Sequence, residues 1–119
     1  MVLVDTSVWV AHFRDDLPSL RERLHKGDVV CHPMIIGELA CGNFKNRKEI
    51  LGLLAELHSA EVAGHDEVMA LIETHRLMGK GLGYIDMHLL ASALLSGCSL
   101  WTQDRKLSAA AESLDIPCQ

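Results

Sequence analysis

The chain has 119 residues, which is enough to bury a substantial hydrophobic core, and we expect one domain spanning residues 1–119. Its 16 acids outnumber its 11 lysines and arginines, and the net charge of −5 argues against a protein that coats nucleic acid nonspecifically. No apolar run approaches the ~20 residues that span a bilayer, and no signal-like segment is present, so we expect a soluble, cytoplasmic protein with no membrane contact.

The predicted elements alternate between strands and helices. The first strand lies in "MVLVD" and precedes helices in "TSVWVAHFR" and "LPSLRERLHKG". A second strand, "DVVCH", leads into helices in "PMIIGELACG" and "NRKEILGLLAELH". A third strand is expected in "AEVAG", before helices in "HDEVMALIETHRLMG" and "YIDMHLLASALLSG" that flank the glycine-rich break "GKGLG". The fourth strand is "CSLWTQD", followed by a helix in "RKLSAAAESLD" and a short edge strand in "IPC".

This alternation predicts an α/β fold. Short apolar strands separated by helices are typical of a parallel sheet that is covered on both faces and joined by right-handed crossovers. We therefore expect a three-layer α/β/α domain whose central, mostly parallel sheet has four to five strands.

Two acids follow strands directly. Asp5 ends the first predicted strand and Asp104 follows the fourth, each just before a helix. The carboxyl ends of parallel strands meet at one rim of the sheet, where open α/β sheets bind their ligands. Taken singly, each of these acids is equally well explained as a helix cap.

Two further acids interrupt apolar helix faces. Glu38 has Met34, Ile35 and Cys41 at helical spacing, so its side chain is predicted to point inward, and Asp86 lies on the stripe of Leu89 and Leu90. Neither has a lysine or arginine at ion-pair spacing, and an unpaired buried carboxylate is costly. The alternatives are that Glu38 reaches solvent and that Asp86 is a first-turn acid favoured by the helix dipole.

If the four acids converge, divalent cations are the natural source of compensating charge. Ions at these positions would also bring the remaining charges close to balance. The four cysteines have no paired spacing and are expected to be small buried side chains, and the seven histidines show no metal-binding spacing and are expected at the surface or in packing.

The stretches "LVDTSVW", "GEL", "YIDMHLLASAL" and "LWTQD" resemble, in this order, the motifs of PIN-domain ribonucleases, and in particular the VapC-type toxins of bacterial type II toxin–antitoxin pairs. The resemblance covers the whole chain. It implies a PIN-like fold and an endoribonuclease that binds Mg²⁺ or Mn²⁺ through Asp5, Glu38, Asp86 and Asp104. Such an enzyme would hydrolyse RNA to 5′-phosphate and 3′-hydroxyl ends.

The resemblance also implies partners. A VapB-type antitoxin would cover the acidic site, and the toxin would form a homodimer and a toxin–antitoxin hetero-oligomer. The substrate would be a transfer or ribosomal RNA, whose cleavage blocks translation. The family often has one more acid shortly after the position of Asp104, whereas here none occurs before Glu112, which weakens the case for a full second metal site.

Other residues near these motifs are candidates for supporting roles. Three hydroxyls flank the acids and are expected either to support them or to cap helices: Thr6, Ser7 and Thr102. Candidates for RNA contact are the basic residues Lys45, Arg47, Lys48, Arg105 and Lys106.

Three alternatives compete with this prediction. A phosphoryl-transfer enzyme of the haloacid-dehalogenase type requires D-x-D at the strand end, but Asp5 is followed by Thr6 and Ser7, and "GKGLG" matches no nucleotide-binding motif. A non-catalytic interaction module that kept the fold would gain stability by replacing inward carboxylates. A PIN nuclease of RNA processing, without an antitoxin, is the third alternative.

Overall fold

The structure, a computed structural model, describes residues 1–119 and contains four strands and seven helices. The strands are β1 (Val2–Val4), β2 (Val29–Cys31), β3 (His58–Ser59) and β4 (Ser99–Trp101). The helices are α1 (Thr6–Asp15), α2 (Pro18–His25), α3 (Pro33–Ala40), α4 (Arg47–Ala55), α5 (His65–His75), α6 (Tyr84–Ser96) and α7 (Arg105–Ser113).

All strand pairs are parallel, in the order β3-β2-β1-β4. The predicted three-layer α/β/α fold with a parallel sheet is therefore confirmed. The segment predicted as "IPC" adds a single parallel bridge, from Cys118 to Leu100, at the open edge of β4. It is too short to count as a fifth strand.

The third strand was predicted in the wrong place. It is His58–Ser59 rather than "AEVAG", and only Ala60 extends the pairing, through a 2.9 Å bond from its N–H to the Cys31 carbonyl. Both residues of β3 are exposed because this strand lies at the edge of the sheet. An edge strand is held by main-chain hydrogen bonds, so it needs no apolar pattern that the sequence would reveal.

The core forms around β1 and α6. The three residues of β1 have no exposed surface, as expected for a central parallel strand. In α6 the seven consecutive residues from Met87 to Ala93 are all buried, so the middle of this helix is enclosed on every side. Each fully buried leucine here, such as Leu89, contributes about 1.5–3 kcal/mol to the free energy of unfolding. The packing fixes the N-terminal turn of α6, which carries Asp86.

The chain reverses its direction across the sheet between β1 and β4. From β1 it moves through β2 to β3, and then crosses back to form β4 on the other side of β1. The crevice outside the carboxyl ends of two such strands is the topological switch point, where ligands bind in open α/β sheets. Asp5 and Thr102, the residues that follow β1 and β4, lie at this point.

None of the helices combines the length and the apolar character that a membrane crossing requires.

Candidate active site

Asp5 is the buried carboxylate at the switch point, with 7% of its surface exposed. Its Oδ2 accepts hydrogen bonds from Ser7 Oγ at 2.8 Å and from Thr102 Oγ1 at 2.7 Å. These hydroxyls in turn accept main-chain bonds at 3.0 Å, Ser7 from the N–H of Gln103 and Thr102 from the N–H of Asp104. The network joins the end of β1 to the loop after β4 and fixes the orientation of Asp5.

Asp104 is the N-cap of α7. Its Oδ1 accepts hydrogen bonds from the N–H groups of Lys106 at 2.8 Å and Leu107 at 3.3 Å. The prediction that Asp104 caps a helix is therefore correct for this oxygen, and Oδ2 takes no part in the cap. The position before α1 is different, because Asp5 stands at the N-cap and makes no side-chain capping bond. The side chain of Asp5 therefore bonds to side chains at the switch point and does not cap α1.

Asp86 lies in the first turn of α6, and its Oδ2 accepts a 2.9 Å bond from the N–H of Gly83. Burial raises the pKa of the Asp86 carboxyl above its usual value. The bond from Gly83 opposes this shift, whereas the negative charges of Asp5 and Asp104 add to it. Asp86 therefore lies within electrostatic range of Asp5 and Asp104.

Glu38 is placed differently from its prediction. The residue is exposed, and its Oε1 accepts a 2.8 Å bond from Thr6 Oγ1, the residue next to Asp5. The apolar neighbours on α3 led us to expect an inward side chain, but the turn that carries Glu38 faces a surface groove beside α1. Glu38 therefore borders the site through Thr6 and does not contribute to the pKa shift of Asp86.

The four carboxylates share one arrangement. Each has one oxygen that accepts hydrogen bonds from protein donors, as given above, and a second oxygen that accepts none. No lysine, arginine or histidine lies within ion-pair distance of any of them. Hydrogen bonds thus fix the orientation of each acid, while no positive side chain neutralises its charge. Carboxylate oxygens of this kind are the ligands that hard divalent cations prefer. The side chains do not, however, form a group of three acids, histidines or cysteines already arranged to hold an ion.

An apolar groove of about 370 Å³ begins at Thr6 and Glu38 and runs between α1 and the loop after α3. Its walls include Val10, Phe13 and Phe44, and the rings of Phe13 and Phe44 stack at a centroid distance of 4.9 Å. Sequence reasoning missed this groove. The spacing of Val10 and Phe13 in α1 was a signal for it, but their partner Phe44 comes from a loop whose position the sequence does not reveal.

The predicted RNA-contact residues fall into two groups. Arg47 bonds to the carbonyl oxygens of Ala40 and Gly42, so its guanidinium closes the loop between α3 and α4. Lys45 and Lys48 on the same stretch are exposed. Arg105 and Lys106 are also exposed and directly follow Asp104 at the switch point.

Two predictions about polar side chains need correction or refinement. Cys41 is exposed, unlike the expected buried cysteine, because it is the C-cap of α3 and follows its last turn. His32 and His88 are fully or almost fully buried, and their rings pack edge to face at 6.0 Å. His32 Nδ1 accepts a 3.0 Å bond from the N–H of Met34 and so caps α3. No histidine bonds to any of the four acids.

These features define a class: a parallel α/β domain with a carboxylate site at the switch point between β1 and β4. The profile of the PIN domain matches residues 2–113. Over 111 residues the chain is 50% identical to ribonuclease VapC32 of Mycobacterium tuberculosis. The alignment covers 92% of this chain and 90% of that protein. The chain therefore belongs to the PIN-domain family and is a homologue of a VapC ribonuclease.

Two solved structures share the fold at low sequence identity. VapBC-1 from nontypeable Haemophilus influenzae aligns with a TM-score of 0.73 and 17% identity, covering 100% of this chain and 97% of that chain. FitAcB from Neisseria gonorrhoeae aligns with a TM-score of 0.64 and 19% identity, covering 99% and 96%. Both likenesses support the fold described above.

Proposed function

We propose that the protein is a metal-dependent endoribonuclease and the toxin of a VapBC toxin–antitoxin pair, which blocks translation by cleaving a transfer or ribosomal RNA. The observation that carries the proposal is the set of oriented, uncompensated carboxylates at the switch point. The identity of 50% with ribonuclease VapC32 along almost the whole chain supports the choice of RNA as substrate.

The ligands of the metal ion would be Asp5, Glu38, Asp86 and Asp104, each through the oxygen that accepts no protein hydrogen bond. Bound Mg²⁺ or Mn²⁺ would activate a water molecule and neutralise the charge that develops on the scissile phosphate. The protein's own contribution is orientation, because Ser7, Thr102, Thr6 and the N-terminal turns of α6 and α7 hold the other oxygens. Such partners usually change metal affinity or activity about 10- to 100-fold.

The raised pKa of Asp86 fits the same assignment. Without a cation, the neighbouring charges of Asp5 and Asp104 oppose ionisation of Asp86. A divalent cation among these groups would reverse the local potential and favour the charged form. A carboxylate whose ionisation is costly in the free protein is well suited to bind a cation.

The apolar groove beside Glu38 is the proposed binding surface for the VapB-type antitoxin. A segment with apolar side chains would fill the space between Val10, Phe13 and Phe44, and a basic residue on it would pair with the nearby acids. Val10 is 48% exposed, so Val10→Asp should leave the fold intact. A VapB-type antitoxin that inhibits the wild-type protein should fail to inhibit this variant. The homodimer and the toxin–antitoxin hetero-oligomer stay predictions.

The experiment that tests the activity is cleavage of total bacterial RNA by the purified protein in Mg²⁺ or Mn²⁺. We expect discrete cuts that disappear in EDTA and in the Asp5→Asn variant. Lys26→Gln is a suitable control, because Lys26 follows α2 and lies at the amino ends of the strands, away from the acids. Equal cleavage in EDTA or by Asp5→Asn would refute the proposal, and absence of cleavage by the wild-type protein would favour a non-catalytic module.

A further inference from the structure

Lys106 lies directly across Gly81, and this contact ties the two segments that carry Asp86 and Asp104. A Cβ atom added to Gly81 would stand 2.9 Å from Lys106 Cδ, 2.9 Å from its Nζ and 3.2 Å from its Cε. Gly81 also has a φ of +75°, which L side chains rarely adopt. The positive φ favours glycine at position 81, and the absence of a side chain there leaves room for the end of the lysine side chain.

The main chain of Lys106 is fixed as well. Its N–H donates the 2.8 Å bond to Asp104 Oδ1, so the residue is anchored to a carboxylate of the site at one end and to the loop before α6 at the other. Lys106 is exposed like Lys45 and Lys48, but unlike them it lies in the first turn of α7, two residues after Asp104.

The charge of Lys106 is not used within the protein. Its ammonium has no carboxylate within ion-pair distance, and the same holds for Lys80 and Arg105, the adjacent cations on the two segments. Four other lysines and arginines do pair with carboxylates: Arg14, Arg21, Arg23 and Lys26. In a chain with net charge −5, the unpaired cations Arg105 and Lys106 directly follow Asp104, whose charge acts on Asp86.

We propose that Lys106, positioned by Gly81, binds a backbone phosphate of the RNA next to the bond that is cut. The inference rests on the proposed function and assigns a substrate-binding role to one lysine and a positioning role to one glycine. A lysine ammonium recognises phosphate as a point charge and does not read the base, so the contact contributes affinity and register but not sequence selectivity.

The test measures binding of a fluorescent single-stranded RNA to Asp5→Asn protein, so that RNA is bound without being cut. Adding Lys106→Gln should weaken binding about three- to tenfold and reduce the slope of log Kd against log salt by about 0.7. Adding Lys26→Gln, the same charge change at the opposite rim, should leave both quantities unchanged. In the wild-type background, Lys106→Gln should raise KM more than it lowers kcat.

Gly81→Ala provides a second, independent test. Because the new Cβ would displace the lysine, the variant should lose RNA affinity like Lys106→Gln, and the two changes together should cost no more affinity than either alone. A melting temperature for each variant shows whether it is folded. Unchanged affinity and salt slope in Lys106→Gln would overturn the inference while leaving cleavage by the wild-type protein, and hence the proposed function, intact. Absence of both RNA binding and cleavage would overturn both.

Discussion

Thr102 Oγ1 donates a 2.7 Å hydrogen bond to Asp5 Oδ2 and accepts one of 3.0 Å from the N–H of Asp104. One hydroxyl thus links the Asp5 carboxylate, after β1, to the main chain of Asp104, after β4. The bond to a charged group is worth about 1.5–3 kcal/mol, more than a bond between neutral groups. Geometry at the switch point therefore depends on a residue that is not itself an acid.

Thr102→Val should disturb both acids at once. Valine has the same shape as threonine but cannot donate to Asp5 or accept from Asp104, so we expect a loss of about 1–3 kcal/mol in the free energy of unfolding. We also expect cleavage to fall about 10- to 100-fold. Denaturant unfolding and RNA cleavage measure the two effects. Thr102→Ser keeps the hydroxyl and should restore both; wild-type cleavage by the valine variant would contradict the role of the network.

Asp86→Asn should stabilise the metal-free protein while abolishing cleavage. Because the pKa of Asp86 is raised in the fold, its contribution to stability is present at acidic pH and is lost as the pH rises through that pKa. At neutral pH the ionised group therefore destabilises the fold, and the neutral amide removes this cost while its oxygen can still accept from Gly83. Thermal unfolding measured in EDTA should show a higher melting temperature.

Asp66→Asn is the matched control for this variant. Asp66 is an exposed acid in the first turn of α5, where a negative charge stabilises the helix by about 0.3–1 kcal/mol. Its replacement should lower stability slightly and leave cleavage unchanged. A melting temperature for Asp86→Asn below that of the wild type would contradict the prediction that burial and the charges of Asp5 and Asp104 make ionised Asp86 destabilising.

Thr6→Val should weaken metal binding without unfolding the protein. Thr6 Oγ1 is the only protein donor to Glu38, which is otherwise exposed, so valine would release that carboxylate. We expect the Mg²⁺ concentration needed for half-maximal cleavage to rise about tenfold. Titration of Mg²⁺ or Mn²⁺ in the cleavage assay gives this value, and Thr6→Ser should restore it. An unchanged metal requirement would remove Glu38 from the proposed ligand set.

Stability should fall as the pH drops below about 6.5, the usual pKa of histidine. Burial lowers the pKa of His32, and the nearby His88 lowers it further, so the folded chain resists a proton that the unfolded chain accepts. The stability that neutral His32 contributes is fully present above the usual histidine pKa, and it is lost as the pH falls below that value towards the lowered pKa of the folded chain. His32→Asn should make the dependence shallower, because asparagine can keep the cap on α3 without titrating in this range.

Urea unfolding at a series of pH values measures this slope. His25→Asn is the control, since His25 is exposed at the end of α2. A slope unchanged by His32→Asn, or changed equally by the control, would contradict the prediction.

Much of the fold could be read from the sequence because its elements obey local rules. β1 was predictable from an uninterrupted apolar run, and the strand-end positions of Asp5 and Asp104 follow from parallel topology. The edge strand β3 was missed because two polar residues held by main-chain bonds leave no pattern. The sequence left open whether each histidine lies at the surface or in packing; His32 lies in the core, and its Nδ1 caps α3.

The details of the candidate site depend on contacts between distant segments. Ser7 and Thr102 were candidates because they adjoin acids, but their convergence on Asp5 requires the loop after β4 to meet the start of α1. The prediction that Glu38 points inward was wrong. Helical spacing shows which residues share a face of α3, but it does not show whether another element covers that face. The contact of Lys106 with Gly81 likewise joins the first turn of α7 to the loop before α6, and the glycine pattern alone indicated only a turn.

The chemistry at the product ends tests the central claim most directly. RNA cut by the wild-type protein in Mg²⁺ should carry 5′-phosphates and 3′-hydroxyls, because carboxylates at the switch point support attack by water and no histidine bonds to them. Sequencing with end-specific adaptor ligation, with and without prior phosphatase or kinase treatment, identifies these ends. Products with 5′-hydroxyls and 2′,3′-cyclic phosphates would mean that the ribose 2′-hydroxyl attacks, and would contradict the account.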